Sequence, residues 1–171
     1  MELRKYLETD ANEIIKWIPD ERSLRLWSFN RYSHFPIKAE DINNNYDECI
    51  NSGNFYPLTL VDNSKIVGHL ILRNPDSNKP YIVRLGFVIV DSSLRGKGYG
   101  KALIKEAIKY AKTTLNAKEI NLGVFANNEN AYNCYKSIGF KETNFTENVF
   151  QFGDENWDYF EMVLEDEYVL E

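Results

Sequence analysis

Leu94-Arg95-Gly96-Lys97-Gly98-Tyr99-Gly100 is the stretch on which the reading of this chain turns. It follows Tyr81 to Val90 (YIVRLGFVIV), nearly all apolar, the pattern of a strand buried on both faces. It precedes a segment from about Gly98 to Leu115 in which Leu103, Ile104, Ala107, Ile108, Ala111 and Leu115 recur at helical spacing. Glycines at such a strand-to-helix junction let the backbone approach a ligand with no Cβ in the way. The amides at the helix N-terminus, together with the helix dipole, favour an anion there. Arg95, Lys97 and Lys101 add positive charge at the same mouth. The pattern predicts a phosphate or pyrophosphate cradle, against the plainer reading of a Gly-rich turn that merely starts a helix. The spacing GxGxG of Gly96, Gly98 and Gly100 does not fit the dinucleotide fingerprint GxGxxG. Nor does it fit GxxxxGK[ST], because Gly98 and not a hydroxyl residue follows Lys97.

Upstream of that strand, Phe55 to Val61 and Ile66 to Leu72 are apolar runs joined by Asp62-Asn63-Ser64-Lys65, a hairpin signal. Glu119 to Ala126 alternates Ile120, Leu122 and Val124 inward. Asn128 to Ile138 reads as a short helix stopped by Gly139. Phe140 to Phe152 and Trp157 to Leu164 read as strands around Gly153-Asp154-Glu155-Asn156. Upstream, residues 2–6 predict a short strand, and Thr9-Asp10 with Glu13 predicts a capped helix running to Pro19. A second helix starts at Asp20 or Ser23 and carries Leu24, Leu26 and Trp27. Residues 28–54 carry no clear periodicity and read as short helices and loop. The order is β-α-α-β-β-β-α-β-α-β-β, an α/β (α+β) domain with a mixed, mostly antiparallel central sheet of six to seven strands flanked by helices. Strict doubly wound alternation is absent.

The 171 residues fit one domain, residues 1–171. With 20 Lys+Arg against 26 Asp+Glu the net charge is −6, which argues against coating a nucleic acid. Yet Arg95, Lys97, Lys101 and Lys105 fall in one run without an acid among them, so the overall acidity conceals one basic mouth. The remaining acidity would suit a cationic acceptor. No apolar run approaches the ~20 residues of a membrane span. The opening MELRKYLETD lacks the apolar core of a secretory signal, so a cytoplasmic location is expected. Cys49 and Cys134 stand far apart and form no CxxC, which supports neither a disulfide framework nor a metal site. Glu165-Asp166-Glu167 reads as a solvated acidic end.

The chain resembles the GNAT superfamily of N-acetyltransferases. Members carry [RQ]-x-x-G-x-[GA] between strand and helix, matched here by Arg95, Gly98 and Gly100. Downstream many carry N-x-x-A-x-x-x-Y and then G-F, matched by Asn128, Ala131, Tyr135 and Gly139-Phe140. The likeness covers residues 55–142 well. Over the first 50 residues it is looser and points to the ribosomal-protein N-acetyltransferase type.

The resemblance implies the GNAT fold and direct transfer of acetyl from acetyl-CoA to a primary amine of a small molecule or a protein N-terminus. It implies that Val88, Ile89 and Val90 pair with the pantetheine arm at a splayed gap in the sheet. Arg95, Gly96, Lys97, Gly98, Tyr99, Gly100 and Lys101 would hold the pyrophosphate, and Asn128 would hydrogen-bond the cofactor. Tyr135 would be the general acid for the departing thiolate. Where some members place a Glu in the central strand this chain has Arg84, which accepts no proton. The base is therefore water or an acid from elsewhere, such as Asp20, Glu21 or Asp158. Arg84 alternatively binds an acidic group of the acceptor, and Trp27 and His34 are further acceptor-side candidates. The simpler alternatives are core packing for Trp17, Trp27 and Tyr135, an N-cap for Asn128 and a packed or edge histidine for His69. Cys134 has no evident base and reads as no nucleophile. Arg84 keeps alive a second function, a silent or weakly active acyl-CoA-binding module. No metal, nucleic acid or membrane partner is expected, and the assembly is a monomer or homodimer.

Overall fold

The apolar runs that mark residues 55–61, 66–72 and 81–90 as strands are realised in the computed structural model, which describes residues 1–165. Asp166 and Glu167 of the expected acidic end lie outside the described residues. Strands β1 (Glu2–Lys5), β2 (Phe55–Asp62), β3 (Lys65–Arg73), β4 (Ile82–Val90), β5 (Glu119–Phe125), β6 (Phe140–Phe152) and β7 (Glu155–Leu164) form one sheet. Their spatial order is β1-β2-β3-β4-β5-β7-β6. Only β4 and β5 are parallel. A parallel pair needs a crossover connection. Here it is the Gly-rich turn and the 15-residue helix α4 of Tyr99–Thr113; the remaining helices are α1 (Ala11–Ile14), α2 (Glu21–Ser28), α3 (Ala39–Ile50) and α5 (Glu129–Ile138).

Helices cover both faces of the sheet. On one, α4 buries Leu103, Ile104, Ala107, Ile108 and Ala111, its predicted apolar stripe, and packs with α5 against Leu58, Leu72, Leu85 and Leu122. Burying each large side chain contributes about 1.5–3 kcal/mol. Gly139 ends α5 at φ +116°, a left-handed conformation that a side chain would resist. On the other face α1, α2 and α3 bring Ile14, Leu24, Ile42 and Tyr46 against Ile71 and Ile89.

Two N-terminal expectations need correction. The predicted helix from Thr9 to Pro19 is a single turn of α-helix between two 3-10 turns, Glu8–Asp10 and Ile15–Trp17. Asp10 does not cap it. Its buried carboxylate accepts from Arg4 at 2.7 and 2.9 Å, the Leu7 amide at 3.0 Å and the Thr59 hydroxyl at 2.7 Å. Those partners stitch the helical layer to β1 and β2. Second, the unpatterned segment 28–54 holds a 12-residue helix, α3. It presents only Ile42 and Tyr46 as buried anchors, one turn apart, and Asn and acidic residues fill its outer face. Asp20 does cap α2, accepting from the Ser23 amide at 2.7 Å.

Candidate functional site

β4 and β5 are paired from Ile82↔Glu119 to Leu85↔Leu122, and there the ladder ends. A bulge in β4 accompanies the parting. His69 pairs with Ile89 and Ile71 with Gly86, so three steps along β4 oppose two along β3. Within it Phe87 is left-handed at φ +51°, a conformation costly for a bulky residue. The Trp27 indole secures it by donating to the Phe87 carbonyl at 2.8 Å, with the two rings 5.3 Å apart. β4 thus leaves β5, and a slot opens inside the sheet.

Two cavities meet at the slot, one of about 590 Å3 and one of about 440 Å3. Leu26, Trp27, Val88, Asn128 and Tyr135 line both. The larger is also lined by Ile89, Val90, Arg95, Gly96, Gly98, Gly100 and Lys101. Gly96 and Gly98 are left-handed, at φ +75° and +86°, and nothing lies within 4 Å of the place where a Cβ would stand. The groove past them is therefore open. The amides of a helix's first turn have no intrahelical acceptors, and the first turn of α4 carries no acid. Anion-binding character follows. Lys97 and Tyr99 are not in the cavity walls. The Tyr99 hydroxyl instead donates to Asp62 at 2.9 Å, tying α4 to the end of β2.

Asn128 stands at the N-cap position of α5, its carbonyl accepting from the Tyr132 amide at 3.0 Å, but its side chain makes no capping bond. Tyr135 is 7% exposed and meets Phe140 edge-to-face. Burial, with smaller contributions from Cys134 and Tyr159, pushes its phenol well above the ordinary range, so it stands protonated as a hydrogen-bond donor. Cys134 also lines the larger cavity, and burial raises its thiol, which disfavours the thiolate a nucleophile needs.

The smaller cavity is lined by Arg31, Arg73, Arg84 and Tyr159, and no Asp, Glu or His is in its wall. Arg84 donates to both oxygens of Glu161, at 2.7 and 3.1 Å, to Asn121 at 3.1 Å and to the Tyr159 hydroxyl at 3.3 Å. Burial works against the Arg84 charge, but Glu161 outweighs it and the guanidinium sits above its ordinary value. Glu161 stands opposite Gly123 on the neighbouring strand β7, outside the cavity wall, with its carboxylate taken up by Arg84.

None of the acids considered for the base is in either cavity wall. Asp20 caps α2, Glu21 accepts from Arg25 at 2.7 Å and Asp158 accepts from the Asn148 amide at 2.9 Å. His34 is outside both cavities as well, its Nε2 3.3 Å from Asp41. His69 is wholly buried against the Tyr46 hydroxyl at 2.7 Å, and burial holds it down to about 3. No metal-holding cluster occurs among the described residues, and no helix there is long and apolar enough to cross a membrane.

Reasoning from sequence did not find Arg31, Arg73, Tyr159 and Glu161. One signal was present: Gly123 interrupts an otherwise good strand pattern, which marks close approach of another group. That group is the Tyr159 ring.

The model of the Acetyltransferase (GNAT) family matches residues 13–140. Among curated proteins, the chain is similar to an N-alpha-acetyltransferase of Sulfurisphaera tokodaii, 34% identical over 79 residues, covering 44% of this chain and 47% of that one. It is also similar to the spermine/spermidine N(1)-acetyltransferase of Bacillus subtilis, 33% identical over 91 residues, covering 51% and 60%. The chain thus spans about half the length of the curated relatives it matches. Among solved structures, the spermidine N-acetyltransferase of Vibrio cholerae in complex with CoA and spermine superposes with TM-score 0.81, 20% identity and coverage of 98% and 96%. The ribosomal-protein-alanine N-acetyltransferase of Brucella melitensis gives 0.75, 20%, 95% and 98%. Those two likenesses are of fold.

Proposed function

Because this chain belongs to the acetyltransferase (GNAT) family, we propose that it is an acetyl-CoA-dependent N-acetyltransferase acting on a primary amine. The observation that carries this reading is the meeting of an anion-binding groove and a second cavity at Tyr135, inside a slot between β4 and β5. The groove suits a long, phosphate-bearing donor. Gly96, Gly98 and the first amides of α4 would take its pyrophosphate, with Arg95 and Lys101 as counter-charges. The free edge of Val88 to Val90 and the uncommitted Asn128 amide would take its arm.

Acetyl-CoA would supply the acetyl group as a thioester, a C–N bond to the acceptor forming as the C–S bond breaks. Tyr135, neutral and at the junction, gives its hydroxyl proton to the leaving sulfur and regains one from water before the next turnover, a role worth about 10²–10⁴-fold. The acceptor's proton goes to water, since the smaller cavity's wall offers no carboxylate or imidazole. Holding both reactants at one slot supplies further rate through orientation. The reading as a silent CoA-binding module rested on Arg84. A second cavity of about 440 Å3, in the size range of small-molecule sites, supports transfer instead.

Thermal shift and thiol release test this together. Acetyl-CoA and CoA at a hundredfold over Kd should each raise Tm by roughly 5–10 °C, with ATP and NAD far weaker. Thiol should appear only when an acceptor amine is added. No stabilisation by either CoA species would defeat the reading.

A further inference from the structure

The charges around the smaller cavity do not balance. Of its three arginines, Arg84 is satisfied by the bidentate pair with Glu161. Arg73 sits beside it, directly across the β3–β4 ladder, and among the described residues it has no hydrogen bond or ion pair of its own. It is half-buried, and burial together with the Arg84 and Arg31 cations holds it below its ordinary value. Arg31 lies over the Phe87 ring at 5.7 Å and likewise has no acidic partner among the described residues. Arg73, which feels Glu161 and Tyr159 only through space, and the exposed Arg31 therefore face a cavity whose wall contains no acid.

Resting on the acetyltransferase reading, we propose that the acceptor bears a carboxylate close to its amine, and that Arg73 with Arg31 binds that carboxylate. A guanidinium offers a planar pair of donors matched to a carboxylate, and partial burial strengthens the bond. The same wall disfavours an acceptor that brings only positive charge, because each further ammonium would enter a field of like sign. This reverses the expectation from net charge. The chain carries −6 overall, but the site that admits the acceptor is basic. Spermine, named for relatives that share this fold, is thus a sharp comparator.

The test measures kcat/KM for matched amines with acetyl-CoA saturating: an α-amino acid against its amide, a peptide amide beginning with Glu against one beginning with Gln, and spermine. The first pair probes a main-chain carboxylate and the second a side-chain one. At least one carboxylate acceptor should exceed its neutral twin by about tenfold or more, and should exceed spermine. Arg73→Gln should collapse that ratio towards one, mainly through KM, and Arg73→Lys should restore part of it. Acetyl-CoA thermal shifts on each variant report that it is folded and binds donor. A neutral twin or spermine preferred over both carboxylate acceptors overturns the proposal and leaves the acetyltransferase reading standing. So does donor binding with no panel member acetylated, or an unchanged ratio in a folded Arg73→Gln. Absent donor binding in the parent protein would instead overturn the acetyltransferase reading and take the proposal with it.

Discussion

Replacing Gly123 by Ala should damage this protein although a strand interior ordinarily favours Ala over Gly. The added Cβ would stand 1.9 Å from the Tyr159 hydroxyl oxygen, 2.3 Å from Cζ and 2.5 Å from Cε1. A phenol ring has no flexible end to fold away, so it must retreat by about 1.5 Å to reach ordinary contact. It is held by an edge-to-face contact with Phe125 at 5.3 Å and by the bond from Arg84. Overpacking of this kind costs about 1–3 kcal/mol, against about 0.5–1 kcal/mol gained by losing a strand glycine. The net is a loss of up to about 2.5 kcal/mol, which lowers Tm by up to roughly 10 °C in a domain of this size. In a Tyr159→Ala background the clash is gone and only the gain remains, so Gly123→Ala should there raise Tm by roughly 1–4 °C. Chemical and thermal denaturation of the four proteins closes the cycle. Because Tyr159 lines the smaller cavity, Gly123→Ala alone should also raise the acceptor KM. The same sign of ΔTm in both backgrounds would refute the reasoning.

Tyr135→Phe should keep acetyl-CoA affinity near that of the parent and lower kcat by about 10²–10⁴-fold; full turnover in stopped-flow thiol release would remove Tyr135 from the proton path. Gly98→Glu adds a side chain to a left-handed residue and a negative charge to the anion groove, so acetyl-CoA affinity by calorimetry should fall by roughly a hundredfold or more. An unchanged Kd would place the pyrophosphate elsewhere. His69 makes stability depend on pH. Burial holds it at about 3 in the fold against 6.5 when free, so its contribution is complete above pH 6.5 and is lost as pH falls towards 3. Urea midpoints measured between pH 7.5 and 5 should drop, and His69→Gln should flatten that slope. Asp10 adds a separate acid limb. Burial opposes its charge, but Arg4, the Leu7 amide and Thr59 outweigh it, so the carboxyl titrates below 3.8 and its stabilisation fades only under that pH.

How far the fold could be read from the chain depended on where its periodicity was expressed. β2 to β5 and α4 carry continuous apolar patterns because each packs along its length, whereas β6 buries only Phe140 and α5 only Tyr135 and Ile138. The bounds of β6, Phe140–Phe152, coincide with the reading, and Gly139 stands where a helix stop was expected. α3 escaped because two anchors suffice to dock it. The N-terminal helix was overdrawn because Asp10, a good capping residue by type, is spent on a buried ion pair. The same contrast divides the site. The glycine groove is local in sequence, so the residues that line it, Arg95, Gly96, Gly98, Gly100 and Lys101 with Asn128 and Tyr135, come from two short stretches, while Lys97 and Tyr99 of the same run stand outside its wall. The second cavity draws Arg31, Arg73, Arg84 and Tyr159 from distant segments. Only the register of β3, β4, β5 and β7 brings them together.

The bulge at Phe87 has a meaning beyond shaping a slot. Bare strand edges recruit other strands, and sheets usually expose such edges only at their margins. Here two lengths of unpaired edge, along Gly86 to Val90 and Gly123 to Phe125, are hidden in the middle of the sheet. Trp27 from one side and Tyr135 from the other stand at their mouth. A strand added there would have to pass between Trp27 and Tyr135, a tighter passage for a polypeptide than for a slender arm bearing amides. The hydrogen-bonding capacity of the sheet's centre is thus placed away from the margins where sheets associate, and is open to whatever enters the slot.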